Sequence, residues 1–295
     1  MNTNLNNLIT NVYSDEISTT IKSLCAVDTE LYLVGGYVRD LAINKLSCDR
    51  DYIVKGESAI ELAKKVAEKV QGFFVLLDET FDIARVVMPD RVNYLDFAGC
   101  FGNTIYDDIN RRDFTINSIA IKIDDGKESG LFDPNNGLND LEKGIIRTVS
   151  EKNLEDDPLR CLRAYRFSSQ LGFKIHPETI QYIDKYKKLL SNVAVERVQV
   201  ELIKLFEGKY CSENLEKMKE NGLLFQIFPE LEKEIKVPPN LHHHLGLLDH
   251  SIETVRQIEI LENTMPAWFI EKLNSDQANG IKYISLLKIA GLLHD

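Results

Sequence analysis

Two aspartates, Asp49 and Asp51, stand one residue apart in the stretch LSCDRDYIV, at the start of an apolar run that is typical of a strand. Residues i and i+2 of a strand point to the same face, so these two carboxylates project together. Carboxylates that lie this close repel each other unless a cation sits between them. Oxygen ligands of this kind suit Mg²⁺ or Mn²⁺, which proteins commonly share with substrate phosphates. The pair therefore suggests a metal site for phosphate chemistry.

A third acid and a pair of glycines help to decide whether Asp49 and Asp51 form a metal site or only the solvated end of a strand. Taken alone, Asp-x-Asp is more often the solvated end of a strand, because aspartate is mostly exposed in proteins. Asp96, inside the apolar stretch VNYLDF, would complete a two-metal site for in-line phosphoryl or nucleotidyl transfer if its strand lay beside the first. Gly35 and Gly36 connect a predicted strand to a predicted helix, an arrangement that binds phosphate, although a tight turn also needs glycine. The combination favours the metal site.

Short strands and helices are predicted to alternate over about the first 125 residues. The predicted strands are ELYLV, DRDYIV, FFVLLD, ARVVM, VNYLDF and NSIAIKID. Between them, YVRDLAIN has helical spacing and SAIELAKKVAEKV has one apolar helical face, with Ser58 as its N-cap. From about Pro158 onward the periodicity is helical, and PELEKEIKVPPNLHHH is predicted to be a linker. The predicted fold class is α+β, with a small mixed sheet and helices followed by an all-α part.

Composition limits the class of protein. With 295 residues, 44% of them hydrophobic and 27% charged, the sequence is typical of a folded protein of two or more domains. The net charge of −11 gives little non-specific attraction for phosphates, so a nucleic-acid partner needs a local basic groove. Five scattered cysteines without a Cys-x-x-Cys pair argue against a zinc knuckle and a disulfide scaffold. The lack of a long apolar run and of a basic N-terminal start predicts a cytoplasmic protein without a membrane partner.

Five ordered stretches resemble one known family. GGYVRDLAINKLSCDRDYIV is similar to the first signature of class II tRNA nucleotidyltransferases and bacterial poly(A) polymerases, which belong to the polymerase-β-like nucleotidyltransferases. The other four, which match the family in order, are RRDFTINSIAI, FDPNNGLNDLEKGIIRTV, EDDPLRCLRAYRF and VERVQVELIKLF. The resemblance spans about residues 31–207. It implies a catalytic head over residues 1–125, a neck with nucleotide-selecting helices over 126–190 and a helical, RNA-binding body over 191–240.

The resemblance also implies roles for individual residues. Asp49 and Asp51 would bind the catalytic Mg²⁺ or Mn²⁺, with Asp96 as the third catalytic acid. Eight residues would bind the nucleotide: Gly35, Gly36, Arg39, Arg111, Arg112, Asn117, Asp157 and Arg160. The adjacent arginines of RRDFTIN suit a triphosphate, because guanidinium groups neutralise developing charge; the alternative is that they are solvated beside a helix cap.

The proposed base-selecting pair can be checked by its chemistry. Asp157 and Arg160 are spaced i, i+3 and so share one face of a helix. An acceptor beside a donor matches cytosine, which offers its N4 amino group next to N3, and adenine, which offers N6 next to N1. Guanine and uracil present the opposite order. Outside this sequence context, an exposed ion pair is the better explanation of such spacing.

Histidines cluster near the end of the chain. LHHHLGLLDHSIETV and LLHD contain five of the six histidines and resemble the start of an HD domain, implied here for residues 241–295. His250, His294 and Asp295 match three of that domain's metal-binding positions, and the fourth acid would lie beyond residue 295. Short histidine clusters are also common at surfaces and in linkers. Because the sequence stops inside an apolar helical stretch, we expect it to be part of a longer protein.

The sequence therefore predicts an enzyme that adds CMP and/or AMP from CTP or ATP to the 3′ end of tRNA without a template. The product would be the CCA end or part of it. A poly(A) polymerase of the same fold is the first alternative. An HD-domain phosphohydrolase with a nucleotide-binding front domain and a non-catalytic RNA-binding scaffold are the others. The oligomeric state stays open.

Overall fold

Two units of structure divide the chain. A computed structural model describes residues 12, 15–45, 47–124, 130–239, 244–278 and 280–295. The first unit extends to Lys143 and includes Arg147–Ser150, and the second comprises Gly144–Ile146 and Glu151–Asp295. A mixed sheet with helices in the first unit and a helical second unit confirm the predicted α+β class. The finer division into head, neck, body and HD-like parts stays a prediction.

A seven-stranded mixed sheet forms the centre of the first unit, in the strand order β3–β4–β5–β2–β1–β6–β7. Its strands are β1 (Glu30–Val34), β2 (Asp49–Lys55), β3 (Phe73–Asp78), β4 (Ile83–Val87), β5 (Tyr94–Gly99), β6 (Ala120–Ile123) and β7 (Leu131–Phe132). β2 and β5 pair in parallel, whereas the other neighbouring strands are antiparallel. Parallel pairing brings the N-terminal ends of β2 and β5 to the same edge of the sheet.

Helices cover the two faces of this sheet unequally. They are α1 (Glu16–Leu24), α2 (Gly36–Ala42), α3 (Ala59–Val70), α4 (Ile105–Asn110) and α5 (Gly137–Lys143), with a 3₁₀ turn at Thr115–Asn117. α3 begins at its predicted N-cap, Ser58, whose side chain accepts from the Glu61 N–H. It packs over β4 and β5, where the alternate residues Ala84, Val86, Leu95 and Phe97 are fully buried. The opposite face of β5 and β4 carries Asp96 and Arg85.

α4 packs on that opposite face, on the side of β1 and β6. Ile105 and Ile109 of α4 form an apolar cluster with buried residues of the sheet, namely Tyr32, Val34, Ile53 and Ala120. Val34 pairs with Asp51 and Ala120 pairs with Val34, so these residues share the face of the aspartates. Within the first unit, the acid-bearing face is therefore covered beside β1 and β6.

The second unit consists mostly of helices. They are α6 (Glu151–Asp156), α7 (Leu159–Leu171), α8 (Pro177–Tyr186), α9 (Val195–Phe206), α10 (Cys211–Glu220), α11 (Leu224–Ile227), α12 (Leu247–Thr264), α13 (Ala267–Asn274) and α14 (Tyr283–Leu292). Two small sheets pair β8 (Ile145–Ile146) with β9 (Lys174–Ile175), and β10 (Asp276–Ala278) with β11 (Ile281–Lys282).

No helix within the described ranges is long and apolar enough to span a bilayer. All five cysteines are free thiols.

The predicted linker after α11 is partly structured. It begins with a 3₁₀ helix, Pro229–Lys236, that follows a shorter one at Lys187–Asn192 in the chain. Pro229 occupies the first position, where its fixed φ favours a helix start, and Leu231 is buried. This short helix was not predicted from the sequence, because charged residues surround its single buried leucine. Residues 240–243 of the same stretch lie outside the described residues.

Candidate active site

Three carboxylates lie at one edge of the sheet on one face. β2 begins at Asp49, and the strand alternation places Asp49 and Asp51 on the same side. In the parallel pairing of β2 with β5, Asp51 stands opposite Asp96, and Asp49 stands opposite Tyr94. Asp49 is exposed, whereas Asp51 and Asp96 are half-buried. The structure thus brings together all three acids that were selected from the sequence.

Asp51 is the acid most affected by its surroundings. Its pKa is raised to about 6: burial is the largest cause, the nearby carboxylates of Asp96 and Asp49 add to it, and Arg112 and Arg85 act in the opposite direction. Burial and neighbouring negative charge both disfavour the ionised form. A divalent cation bound by these oxygens would offset the repulsion, so the donor set fits a hard metal ion.

Arg85 compensates the charge of the third acid. Its Nε and Nη2 atoms donate to the two carboxylate oxygens of Asp96 at 2.6 and 2.7 Å, which makes a bidentate pair. Arg85 stands directly opposite Asp96 in the antiparallel pairing of β4 with β5. The row Asp51–Asp96–Arg85 therefore crosses three adjacent strands on one face. Arg85 was not among the residues selected from the sequence, because only the strand register brings it to Asp96.

The glycine turn lies against Asp51 and Arg112. Gly35 has φ +72°, and a Cβ at this position would lie 3.1 Å from an Asp51 carboxylate oxygen and 3.0 Å from Arg112 Nη1. Only glycine therefore combines this backbone conformation with so close an approach. The Gly35 N–H donates to the Ile119 carbonyl at 3.3 Å, so this group holds the turn to the chain beside β6. Gly36 begins α2 immediately after this turn.

Arg39 and Asn117 form a buried network beneath the turn. Arg39 Nη1 donates to Asn117 Oδ1 at 2.8 Å, and its Nε donates to Asp40 at 2.9 Å. Asn117 Nδ2 in turn donates to Asp113 Oδ1 at 3.1 Å. Both selected residues are almost fully buried. The bond from Arg39 to Asn117 joins α2 to the 3₁₀ turn, so these residues position the backbone around Gly35.

Asp108 orients the two adjacent arginines. Its side chain is fully buried and accepts from Arg112 Nε and Nη2 at 3.2 Å and from Arg111 Nη2 at 3.4 Å. The Phe101 N–H also donates to this carboxylate, at 3.3 Å. The spacings of i, i+3 and i, i+4 at the end of α4 make these contacts local. That spacing was visible in the stretch DDINRRD, so the orienting role of Asp108 could have been found from the sequence.

The two residues proposed to select the base lie in the second unit, where a third residue contacts one of them. Asp157 precedes α7 and Arg160 lies in its first turn; their charged atoms are 4.0 Å apart. Arg197 Nη2 of α9 donates to the same carboxylate oxygen, Asp157 Oδ2, at 2.9 Å. The Leu159 N–H donates to the other oxygen at 3.3 Å. Asp157 is thus held by two helices, and Arg197, forty residues away in sequence, was not selected as a site residue.

The C-terminal histidines also lie together. His250 of α12, His294 and Asp295 offer ligand atoms that all lie within 4.8 Å of one another. His250 Nε2 and His294 Nε2 are 3.7 and 3.4 Å from Asp295 Oδ2. Burial raises the pKa of Glu234, and Asp295 raises it further, while His294 lowers it. Glu234 Oε2 is buried without a hydrogen-bond partner among the described residues, so a polar oxygen beside this cluster is left unsatisfied.

Comparison with known proteins agrees with this geometry. The family model described as Poly A polymerase head domain matches residues 31–147, and the one described as Probable RNA and SrmB-binding site of polymerase A matches residues 172–235. A CC-adding tRNA nucleotidyltransferase of Synechocystis sp. is 33% identical over 272 residues, which cover 92% of this chain. The chain belongs to the poly(A) polymerase and tRNA nucleotidyltransferase family.

Other family members extend the similarity. A CC-adding tRNA nucleotidyltransferase of Geobacter sulfurreducens is 38% identical over 197 residues, 67% of this chain. A solved complex of a CCA-adding enzyme with CTP has a TM-score of 0.71 and 29% identity, covering 88% of this chain and 61% of that one. The chain spans only 61% and 45% of the length of the two curated relatives. The family generally uses divalent metal ions, which agrees with the chemistry of the three acids.

Proposed function

We propose that the protein transfers nucleotidyl groups, adding CMP and/or AMP from CTP or ATP to the 3′ end of tRNA without a template. The alignment of Asp49, Asp51 and Asp96 on one sheet face carries this proposal. It is supported by relatives named CC-adding tRNA nucleotidyltransferases and by the similar CCA-adding enzyme solved with CTP. The proposed substrate is a tRNA, and with it we propose a cytoplasmic location.

Asp49 and Asp51 are the proposed ligands of Mg²⁺ or Mn²⁺, with Asp96 as the third acid. A bound divalent ion supplies the positive charge that in-line displacement needs at the attacking and leaving oxygens. Arg112, beside Asp51, is placed to neutralise triphosphate charge, and Arg111 lies next to it with half of its side chain exposed. The bidentate bond from Arg85 fixes the orientation of the Asp96 carboxylate.

Asp157 and Arg160 are the proposed base-selecting residues. The carboxylate accepts from the exocyclic amine of cytosine or adenine, and the guanidinium donates to the adjacent ring nitrogen. Arg197 holds the Asp157 carboxylate through Oδ2 and so orients the acceptor. The alternative is a poly(A) polymerase of the same fold, in which the same pair would contact adenine alone.

Replacing Asp51 by asparagine is expected to lower the rate of nucleotide addition by about 10²-fold or more, because the side chain loses the charge that binds the cation. The measurement is the extension of a tRNA transcript that lacks CCA, with Mg²⁺ and labelled CTP or ATP. Glu79→Gln, at an exposed acid in the turn after β3, is the matched control and should leave the rate unchanged. An Asp51→Asn protein that is folded and fully active would contradict the metal role.

Replacing Asp157 by asparagine is expected to reduce kcat/KM for CTP and ATP by about 10- to 100-fold, since one base contact is worth roughly 1–3 kcal/mol. The discrimination against UTP and GTP should fall at the same time. Asp156→Asn provides the control, because the neighbouring acid is exposed and lies just before the pair. Single-nucleotide addition assays with all four nucleotides measure both effects. Equal losses in the two variants would show that Asp157 does not select the base.

A second proposed activity is divalent metal binding by His250, His294 and Asp295. The close approach of their ligand atoms and the unpartnered Glu234 oxygen beside them favour it. Imidazole and carboxylate together suit Ni²⁺, Zn²⁺ or Mn²⁺. Such a site would be compatible with an HD phosphohydrolase activity, but the three ligands support metal binding alone.

Titration calorimetry with Ni²⁺ tests this second site. In an Asp51→Asn background, which weakens the proposed head site, one Ni²⁺ is expected to bind and His294→Ala is expected to weaken its binding by about tenfold or more. His244→Ala, at an exposed histidine outside the cluster, should leave Ni²⁺ binding unchanged. Equal Ni²⁺ affinity with and without His294 would refute the assignment.

A further inference from the structure

Exposed apolar side chains continue the acid-bearing face across the sheet. Two rows of paired residues cross β2, β5, β4 and β3: Asp49–Tyr94–Val87–Phe73 and Asp51–Asp96–Arg85–Val75. Directly paired residues share one face of a sheet, so both rows extend from the acids toward the edge strand β3. At that edge Phe73 is 53% exposed and Val75 is 38% exposed. Such side chains on the open part of a site face are typical of a binding surface.

Arginines lie over the aromatic rings of these rows. Arg85 Cζ is 5.0 Å from the centroid of the Tyr94 ring, and Arg91 Cζ is 5.7 Å from the centroid of the Phe73 ring. Arg91 is exposed in the turn between β4 and β5. Aromatic faces that alternate with guanidinium groups are the arrangement on which proteins stack the bases of single-stranded nucleic acid.

The position of the acids determines which part of an RNA would reach this surface. A 3′-hydroxyl that is extended at Asp49 and Asp51 must lie beside them. Within the first unit, α4 covers the same face next to β1 and β6 and its cluster reaches Ala98 at the far end of β5, whereas Phe73 and Val75 of β3 are exposed. Phe73 lies three strand spacings from Asp49, about 14 Å. A stacked strand that rises about 3.4 Å per nucleotide covers this distance in about four nucleotides.

We propose that Tyr94 and Phe73, with Arg85 and Arg91, form a stacking platform for the single-stranded 3′-terminal nucleotides of the acceptor RNA. This inference rests on the proposed function, because it assumes that the acids extend an RNA end. It also accounts for RNA binding by a chain of net charge −11, since stacking needs only local positive charge. Phe73 binds RNA in this account and does not take part in the chemistry.

The test compares two RNA hairpins, one with a four-nucleotide 3′ single strand and one with a blunt end, by fluorescence anisotropy. The unmodified protein is expected to bind the single-stranded end more tightly than the blunt end. Phe73→Ala should weaken binding of the single-stranded end by about tenfold, since stacking is worth about 1–3 kcal/mol per base. Phe73→Trp should retain it. Leu76→Ala, on the same strand but facing the other way and 48% exposed, is the control and should bind both RNAs as the unmodified protein does.

Several results would overturn the platform. The first is equal affinity of the unmodified protein for the two hairpins. The second is an equal loss of RNA affinity in Phe73→Ala and Leu76→Ala. The third is a loss of affinity in Phe73→Ala that is as large for the blunt hairpin as for the single-stranded end. A raised KM for CTP with unchanged RNA affinity would assign the rings to the incoming nucleotide. Dissociation of a dimer by Phe73→Ala in sedimentation would assign them to an interface between copies.

The experiments distinguish a failure of the stacking platform from a failure of the proposed function. If Phe73→Ala weakens RNA binding but no protein extends tRNA with CTP or ATP, the platform stands and the proposed function fails. If the unmodified protein extends tRNA and the Phe73→Ala variant binds RNA normally, the proposed function stands and the platform fails.

Discussion

The parallel pairing of β2 with β5 is the constraint on which the candidate active site depends. It sets Asp51 beside Asp96 and places Asp49 at the same edge of the sheet. Such a cluster of carboxylates is unfavourable unless positive charge compensates it. The fold supplies two guanidinium groups for this purpose, one from Arg85 on the neighbouring strand and one from Arg112 after α4. A bound divalent cation would supply the remaining charge.

The surrounding elements keep these charges in place. Gly35 allows the turn after β1 to approach Asp51 and Arg112, and its N–H bond to Ile119 fastens the turn beside β6. Buried Asp108 accepts hydrogen bonds from Arg112 and so restricts the rotamers of that side chain, which lies beside Asp51. The site is therefore pre-organised by groups that do not themselves need to touch a substrate. The proposed base-selecting pair has its own support in the second unit, where Arg197 holds Asp157.

Many residues of the candidate site could be predicted from the sequence, and those that were missed were missed for physical reasons. The period of a strand was enough to place Asp49 and Asp51 on one face. The charged atoms of Asp157 and Arg160 lie 4.0 Å apart, but Asp157 precedes α7, so the expectation that both residues share one helical face was wrong. Arg85 could not be found, because its contact with Asp96 depends on the register of β4 against β5. Arg197 was missed for a similar reason, since it reaches Asp157 from another helix. The hydrogen bond from the Gly35 N–H to the Ile119 carbonyl could not be predicted either. A glycine pair before a helix suggests phosphate binding, whether or not the glycine N–H already has a partner within the fold.

The most direct test of the central claim is to sequence the 3′ ends of a tRNA transcript that lacks CCA after incubation with the protein and Mg²⁺. CTP and ATP are supplied separately and together, with UTP and GTP in parallel reactions. The account predicts added C, A or both in a defined short extension, with no addition of U or G. Unchanged 3′ ends in every reaction, or U and G added as readily as C and A, would contradict it.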